Sequence, residues 1–205
     1  MRKIIAITQL SLDGIMQAPG GPEEDSRGGF AHGGWAMRFC DDAMSATLNE
    51  MMSRPFDLLL GRRTYEIFAG YWPFAGDNPI ANAFNQAAKF VATRTLDRFD
   101  WTGAQRLDGD ATDAIRRLKA SDGPELHIWG SGELLQALIA ADLVDEFRVW
   151  TVPVILGHGR RLFETGLPPR ELSLVDSRAT PAGVVMSTYR PVGPLPPPLP
   201  TSAQK

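Results

Sequence analysis

Apolar positions along the chain fall into two alternating kinds of segment. Short runs that are apolar almost without a break read as strands buried on both faces. They are Lys3 to Leu10, Asp57 to Leu60, Lys89 to Ala92 and Glu125 to Trp129. Between them the spacing turns helical. Met44, Leu48, Met51 and Met52 share one face behind a cap at Asp41 or Asp42. A second helix opens at Arg62, and a small one from Pro79 to Ala88 can turn Ala81, Phe84 and Ala88 inward. Asp110 is placed to cap a helix with Ala114, Ile115 and Leu118 inside. Leu134, Leu135, Leu138 and Ile139 mark another that ends near Ala141. Glu146 to Val154 is a long strand with Pro153 near its end, where a missing N–H is tolerated. Leu172 to Asp176 and Val184 to Tyr189 then pair as an antiparallel hairpin around Pro181-Ala182-Gly183. Strands alternating with helices, closed by antiparallel strands, predict a three-layer α/β fold with a mostly parallel sheet.

Three stretches break this rhythm. Gln17 to Gly34 is rich in Gly, Pro, Asp and Glu, without periodicity. Loops of this length are either functional or disordered. Phe30, His32 and Trp35 point to a flap over a site. Tyr71 to Asp77 is an aromatic loop. From Pro191 to Lys205 prolines predict a stiff, extended, disordered tail, leaving residues 1–190 as one domain.

Composition narrows the possibilities. A chain of 205 residues, 43% hydrophobic, builds one domain with a substantial core. Its net charge of -3 provides no basic field for nucleic acid or an anionic membrane. Cys40 is the single cysteine, which excludes an intramolecular disulfide and a cysteine-rich zinc site. No metal is expected. The apolar run at the N-terminus stops by Thr8-Gln9, too short for a signal peptide, and no stretch approaches the roughly 20 apolar residues of a membrane span. A reduced, cytoplasmic setting follows as the expectation.

Candidate chemistry sits where strands end. Gly130-Ser131-Gly132 joins a strand to a helix start, where free N–H groups favour an anion. Gly61-Arg62-Arg63-Thr64 repeats the arrangement with two arginines, which the helix dipole disfavours unless an anion binds there. Thr93-Arg94-Thr95 adds a third end with hydroxyl and guanidinium donors. The layout suits a ligand with two separated phosphate groups: a pyrophosphate on the glycine turn and an extra phosphate on the arginines, as in NADP. Alone, each could be a plain turn with solvated arginines. The usual G-x-G-x-x-G fingerprint after the first strand is absent; Ser11-Leu12-Asp13-Gly14 stands there.

These segments, with Ala6 to Gly14, Val91 to Thr95 and Pro153 to Gly159, resemble the dihydrofolate reductase superfamily. The resemblance runs over roughly residues 2 to 190. It is strongest to the reductase domain of the bacterial bifunctional riboflavin-biosynthesis deaminase/reductase and its stand-alone relatives. It implies a dihydrofolate-reductase-like fold with an eight-stranded sheet, NADPH as cofactor, a small-molecule substrate and a homodimer. It places Arg62, Arg63 and Thr64 on the adenosine-side phosphates and Thr93 and Arg94 around the 2′-phosphate. Gly61 opens the arginine turn; Gly130, Ser131, Gly132, Glu133 and Leu134 cradle the pyrophosphate. Thr8 and Ile155 lie near the nicotinamide, and Asp13 and Gly157-His158-Gly159 border the substrate.

The chain departs from the family in one place. Dihydrofolate reductase has a helical carboxylate just after a tryptophan; here Trp35 is followed only at some distance by Asp41 and Asp42. Asp13, Asp41 and His158 are therefore the candidates for proton delivery, His158 because imidazole titrates near neutral pH. Capping explains Asp41 equally, and turn chemistry Asp13. His32 is either a surface residue or a substrate contact, and His127, inside an apolar strand, reads as a satisfied core histidine. The deaminase half of the bifunctional enzyme is absent from these residues. Three functions remain open: an NADPH-dependent reductase of a small heterocyclic or carbonyl substrate, the same reductase serving folate or riboflavin metabolism proper, or a non-catalytic dimeric nucleotide-binding module.

Overall fold

A computed structural model describes residues 1–197. One eight-stranded sheet organises it, in the order β4-β3-β2-β5-β1-β6-β8-β7. The strands are β1 (Ile4–Ser11), β2 (Phe56–Gly61), β3 (Lys89–Ala92), β4 (Ala104–Arg106), β5 (Glu125–Trp129), β6 (Glu146–Val152), β7 (Arg170–Ala179) and β8 (Val185–Pro194). Strands β1 to β6 run parallel, and β8 and β7 are antiparallel. The helices are α1 (Asp42–Met52), α2 (Arg62–Ala69), α3 (Pro79–Gln86), α4 (Ala111–Ala120) and α5 (Gly132–Ala140). None is long and apolar enough to cross a membrane among the described residues.

The unbroken apolar strands are apolar because both faces are covered. Ile5 and Ile7 of β1 enter one core layer with Met44 and Met51 of α1, Tyr65 of α2 and Phe84 of α3. Ile4, Ala6 and Leu10 enter the opposite layer with Ile115 of α4 and Leu134, Leu135 and Leu138 of α5. The predicted three layers follow. Asp41 and Asp110 cap α1 and α4 as expected, accepting from the N–H groups of Met44 at 2.9 Å and Asp113 at 3.1 Å.

Several details differ from the sequence reading. β4 was not expected: three residues, two of them Gln105 and Arg106, carry no apolar period. β8 runs past Tyr189 into the expected tail and ends at Pro194. Prolines fit there because β6 pairs with β8 only up to Tyr189, so beyond it one side of β8 has no ladder to supply. A register shift between Glu171 and Leu172 takes up the rest. The remainder of the tail, 198–205, lies outside the described residues. His127 is buried and stacks on Phe56 at 4.5 Å, but neither ring nitrogen has a hydrogen-bond partner; it is a core histidine and not a satisfied one.

The long loop after β1 is built and packed. The Trp35 Nε1–H donates to the Gln17 carbonyl at 2.8 Å and closes the loop at its base. Glu24 Oε2 accepts from the N–H groups of Gly20 and Gly21 at 2.7 and 3.0 Å, and Phe30 and Trp35 are buried.

Candidate active site

Six parallel strands put six carboxyl ends on one edge of the sheet, the edge where α/β sheets take ligands. Sheet order then decides which ends are neighbours. β3, β2 and β5 are consecutive, so Thr93-Arg94, Gly61-Arg62-Arg63-Thr64 and Gly130-Ser131-Gly132 stand side by side. At ~4.8 Å between strands, the three ends span about 10 Å, the scale of a dinucleotide's phosphates.

Two of these ends are stitched together. The Gly61 N–H donates to Ser131 Oγ at 3.0 Å, and the Ser131 N–H donates to Thr64 Oγ1 at 3.0 Å. Ser131 has φ 51°, a left-handed value unusual for a side-chain residue, and these bonds hold it there. Ser131 therefore serves the turn. Thr64 accepts through its oxygen and keeps its own proton free for an outside acceptor. Thr93 is similar: its Oγ1 accepts from Thr95 at 3.2 Å and Leu96 at 3.1 Å. A Cβ on Gly132 would stand 3.3 Å from Met16 Sδ, so the main chain here packs without a side chain.

The helix starts are open. Neither α2 nor α5 has a side-chain hydrogen bond at its N-cap. The first N–H groups of α5, at Gly132, Glu133 and Leu134, lack intrahelical acceptors. Arg62 is partly engaged by Glu66, Nη1 to Oε1 2.9 Å. Arg63 and Arg94 are exposed and have no carboxylate within 4.0 Å among the described residues. Leu134 is buried against the turn, where a Cβ on Gly61 would meet its Cβ at 3.7 Å.

The other candidates are the groups proposed for proton delivery, and two of them are engaged in structural bonds. Asp13 accepts from the Ser11 hydroxyl at 2.6 Å and the N–H groups of Leu156 at 3.1 Å and Gly157 at 2.9 Å. Those bonds, led by Ser11, hold its carboxyl down at about 2. Its bonds to Leu156 and Gly157 fix the turn there. Asp41 accepts from Met44 through one oxygen and from the Ala182 N–H through the other at 2.9 Å. Backbone hydrogen bonds, from Met44 first, lower its pKa. Its carboxylate ties α1 to the β7–β8 turn. His158 is exposed, with its ring 5.7 Å from Phe30 and 6.1 Å from His32. Flap and loop thus meet at the two histidines. Thr8 is buried, and its Oγ1 lacks any partner. Ile155 is 71% exposed.

Three residues at this edge were missed in the sequence. Gln17 is buried and holds the flap from inside: Nε2 donates to the carbonyls of Asp25 and Arg27 at 3.0 Å each, and Oε1 accepts from the Arg160 N–H at 3.0 Å. Arg160 and Arg27 both turn toward Glu133 on α5, at 2.8 and 3.9 Å. Paired arginines after Gly159 were a visible signal; nothing local marked Gln17. An apolar hollow of ≈ 390 Å³ lies elsewhere, between α5, β6 and β7, and touches none of the strand ends.

A profile of the RibD C-terminal domain matches residues 2–186. The chain belongs to that family. The uncharacterized protein YyaP of Bacillus subtilis (strain 168) is 26% identical over 192 residues, 92% of this chain and 94% of its own. A Shewanella sp. PV-4 protein provisionally named for riboflavin biosynthesis superposes with a TM-score of 0.65 at 22% identity, covering 92% of this chain and 98% of that one. Dihydrofolate reductase from Enterococcus faecalis, solved with NADP(H), superposes with a TM-score of 0.58 at 13% identity over 93% and 96% of the two chains. The fold is dihydrofolate-reductase-like, as the motifs implied.

Proposed function

We propose that this member of the RibD C-terminal domain family is an NADPH-dependent reductase acting on a small heterocyclic or carbonyl substrate. The observation that carries the reading is the adjacency of three anion-ready strand ends, on β3, β2 and β5. The residues fit the cofactor: two uncapped helix starts and two arginines without a carboxylate partner among the described residues follow the ends of parallel strands, and β1 of the same sheet carries the Thr8 hydroxyl, also unpartnered among them. A fold shared with an NADP(H)-bound reductase supports the choice of nucleotide.

When bound, the cofactor supplies hydride. The chain's residues bind and orient. The N–H groups of Gly132, Glu133 and Leu134 receive the pyrophosphate. Arg63, Arg94 and the hydroxyls of Thr64 and Thr93 receive the adenosine-side phosphate. Thr8 and Ile155 border the nicotinamide half. Asp13 fixes the backbone beside the substrate, and His158, next to it, is the group left to deliver a proton. Phe30 and His32 wall the substrate side.

A fluorescence titration with NADPH tests the reading. Saturable binding is expected; none at high micromolar concentration would sink it. The commitment of Asp13 and Asp41 to structural bonds favours one second reading, a nucleotide-binding module without turnover. NADPH oxidation with any of a panel of pterins, pyrimidine ribose derivatives or quinones removes it. The proposed assembly is a homodimer in the cytoplasm; the exposed outer strand β7 supports a second copy, and light scattering checks it.

A further inference from the structure

We infer that Arg27 and Arg160 are contacts for the cofactor's pyrophosphate, held until it arrives by Glu133, whose carboxylate stands in for the anion. The inference rests on the dinucleotide reading of the cleft. It adds two binding residues and the group they are exchanged from.

Two guanidinium groups reach this point from separate parts of the chain, Arg27 from the flap and Arg160 from the loop after β6, and Arg63 in the first turn of α2 is near enough for its charge to act on it. Arg160 Nη1 lies 2.8 Å from Glu133 Oε1, and Arg27 Nη1 lies 3.9 Å from the same oxygen. The Arg160 hydrogen bond, and then the charges of Arg160, Arg27 and Arg63, lower the Glu133 pKa. Burial would raise that of Asp25, but the Arg27 hydrogen bond and the charges of Arg27 and Arg63 outweigh it. Arg63 is thus within electrostatic reach of both carboxylates.

The arginines are placed independently of Glu133. The Arg27 carbonyl and the Arg160 N–H both bond the side-chain amide of Gln17, which is 5% exposed. Asp25 takes the other edge of Arg27, at 2.7 Å to Nε and 2.5 Å to Nη2. This leaves Arg27 Nη1 and the Arg160 head directed at one carboxylate oxygen. The Glu133 side chain is 75% exposed, so the pair adds little to stability. Phosphate oxygens carry more charge and match a guanidinium fork better. A pyrophosphate over the first turn of α5 would take both arginines while Glu133 swings into solvent, with no backbone movement.

The exchange gives Glu133 a sign opposite to that of the arginines. Glu133→Gln should tighten NADPH by ~3- to 10-fold at low salt, the reach of one exposed charge. Arg160→Gln and Arg27→Gln should each weaken it. Arg160→Lys should recover part of the loss. In the double variant Glu133→Gln/Arg160→Gln most of the gain should vanish, since it acts through the arginine. Inorganic pyrophosphate, used as a competitor of NADPH, should follow the same order. A purely structural Glu133 would move only the melting temperature, which is measured alongside without ligand. Unchanged or weaker NADPH binding in Glu133→Gln, or unchanged binding in Arg160→Gln, overturns the inference while NADPH binding by the native chain keeps the cofactor reading. A native chain that binds neither NADPH nor pyrophosphate overturns both.

Discussion

The Ser131 N–H donates to Thr64 Oγ1 at 3.0 Å across 67 residues of sequence. With the returning bond from Gly61 to Ser131 Oγ, it sets the two glycine turns of the cleft as one rigid floor. Thr64→Val removes the acceptor and leaves a partly buried N–H unpaired, which costs about 1–2 kcal/mol. The melting temperature should fall by about 2–8 °C for a chain of this length. NADPH affinity should fall with it, and Thr64→Ser should restore both. A Thr64→Val protein with native melting and binding would show that the floor does not depend on this bond.

Arg94 is exposed just beyond the end of β3 without a carboxylate partner among the described residues, whereas Arg62 is engaged by Glu66. Arg94→Ala should therefore weaken NADPH by roughly 10- to 100-fold, the worth of a charged hydrogen bond, and leave NADH nearly unchanged. Arg62→Ala should do less. Titration of both cofactors checks this, and equal losses for NADH and NADPH would remove Arg94 from the 2′-phosphate.

His127 is neutral in the fold, because burial first and the Arg148 charge second push its pKa down from 6.5 to about 3. The unfolded chain binds a proton below pH 6.5 and the folded chain does not until about pH 3. Stability is thus intact above pH 6.5 and lost as pH falls through that window, by at most about 1.4 kcal/mol per pH unit. Urea unfolding from pH 7 to pH 4 should show this slope, and His127→Leu should flatten it. An identical slope in the variant would place the acid sensitivity elsewhere.

Gly159 has φ 133°, and a Cβ there would stand 2.7 Å from Ile15 Cγ2 and 3.1 Å from Phe30 Cε2. Gly159→Ala should destabilise the protein by about 1–3 kcal/mol and push the flap off its seat. Gly157, at φ 81° with nothing within 4 Å, is the control; alanine there costs only backbone strain, about 1 kcal/mol. Denaturant midpoints of the two variants should differ in that order.

The strands and helices with an uninterrupted period were legible because burial on one or both faces writes itself into local sequence. Ile5, Ile7 and Leu58 to Leu60 are examples. The three turns that end β2, β3 and β5 were legible because glycine, arginine and hydroxyl residues interrupt the apolar runs there; their side-by-side placement came only from the order of the strands. Asp41 and Asp13 were legible as polar residues in the right places but not in role, since capping and catalysis ask for the same carboxylate. Gln17 and Arg27 carried no local signal, and the paired arginines at 160 and 161 showed a basic turn but not what it meets. The bond between Arg160 and Gln17 spans 143 residues, and no local pattern carries a contact of that range. β4 and the proline end of β8 escaped for a different reason: both are held by their neighbours' ladders and not by apolar periodicity.

The sheet order has a consequence for the growing chain. β1 sits near the middle of the sheet, yet its partners are β5 and β6, with Ile4 opposite Leu126 and Ile5 opposite Glu146. The first strand made must wait, unpaired, while more than half the protein is synthesised. A fragment that stops short of Glu146 keeps every strand from β2 to β5 and still leaves the backbone N–H and C=O groups on one edge of β1 without their β6 partner. Pairings this far apart in sequence place the closing of the sheet late, after β6 has been made, and favour slow folding.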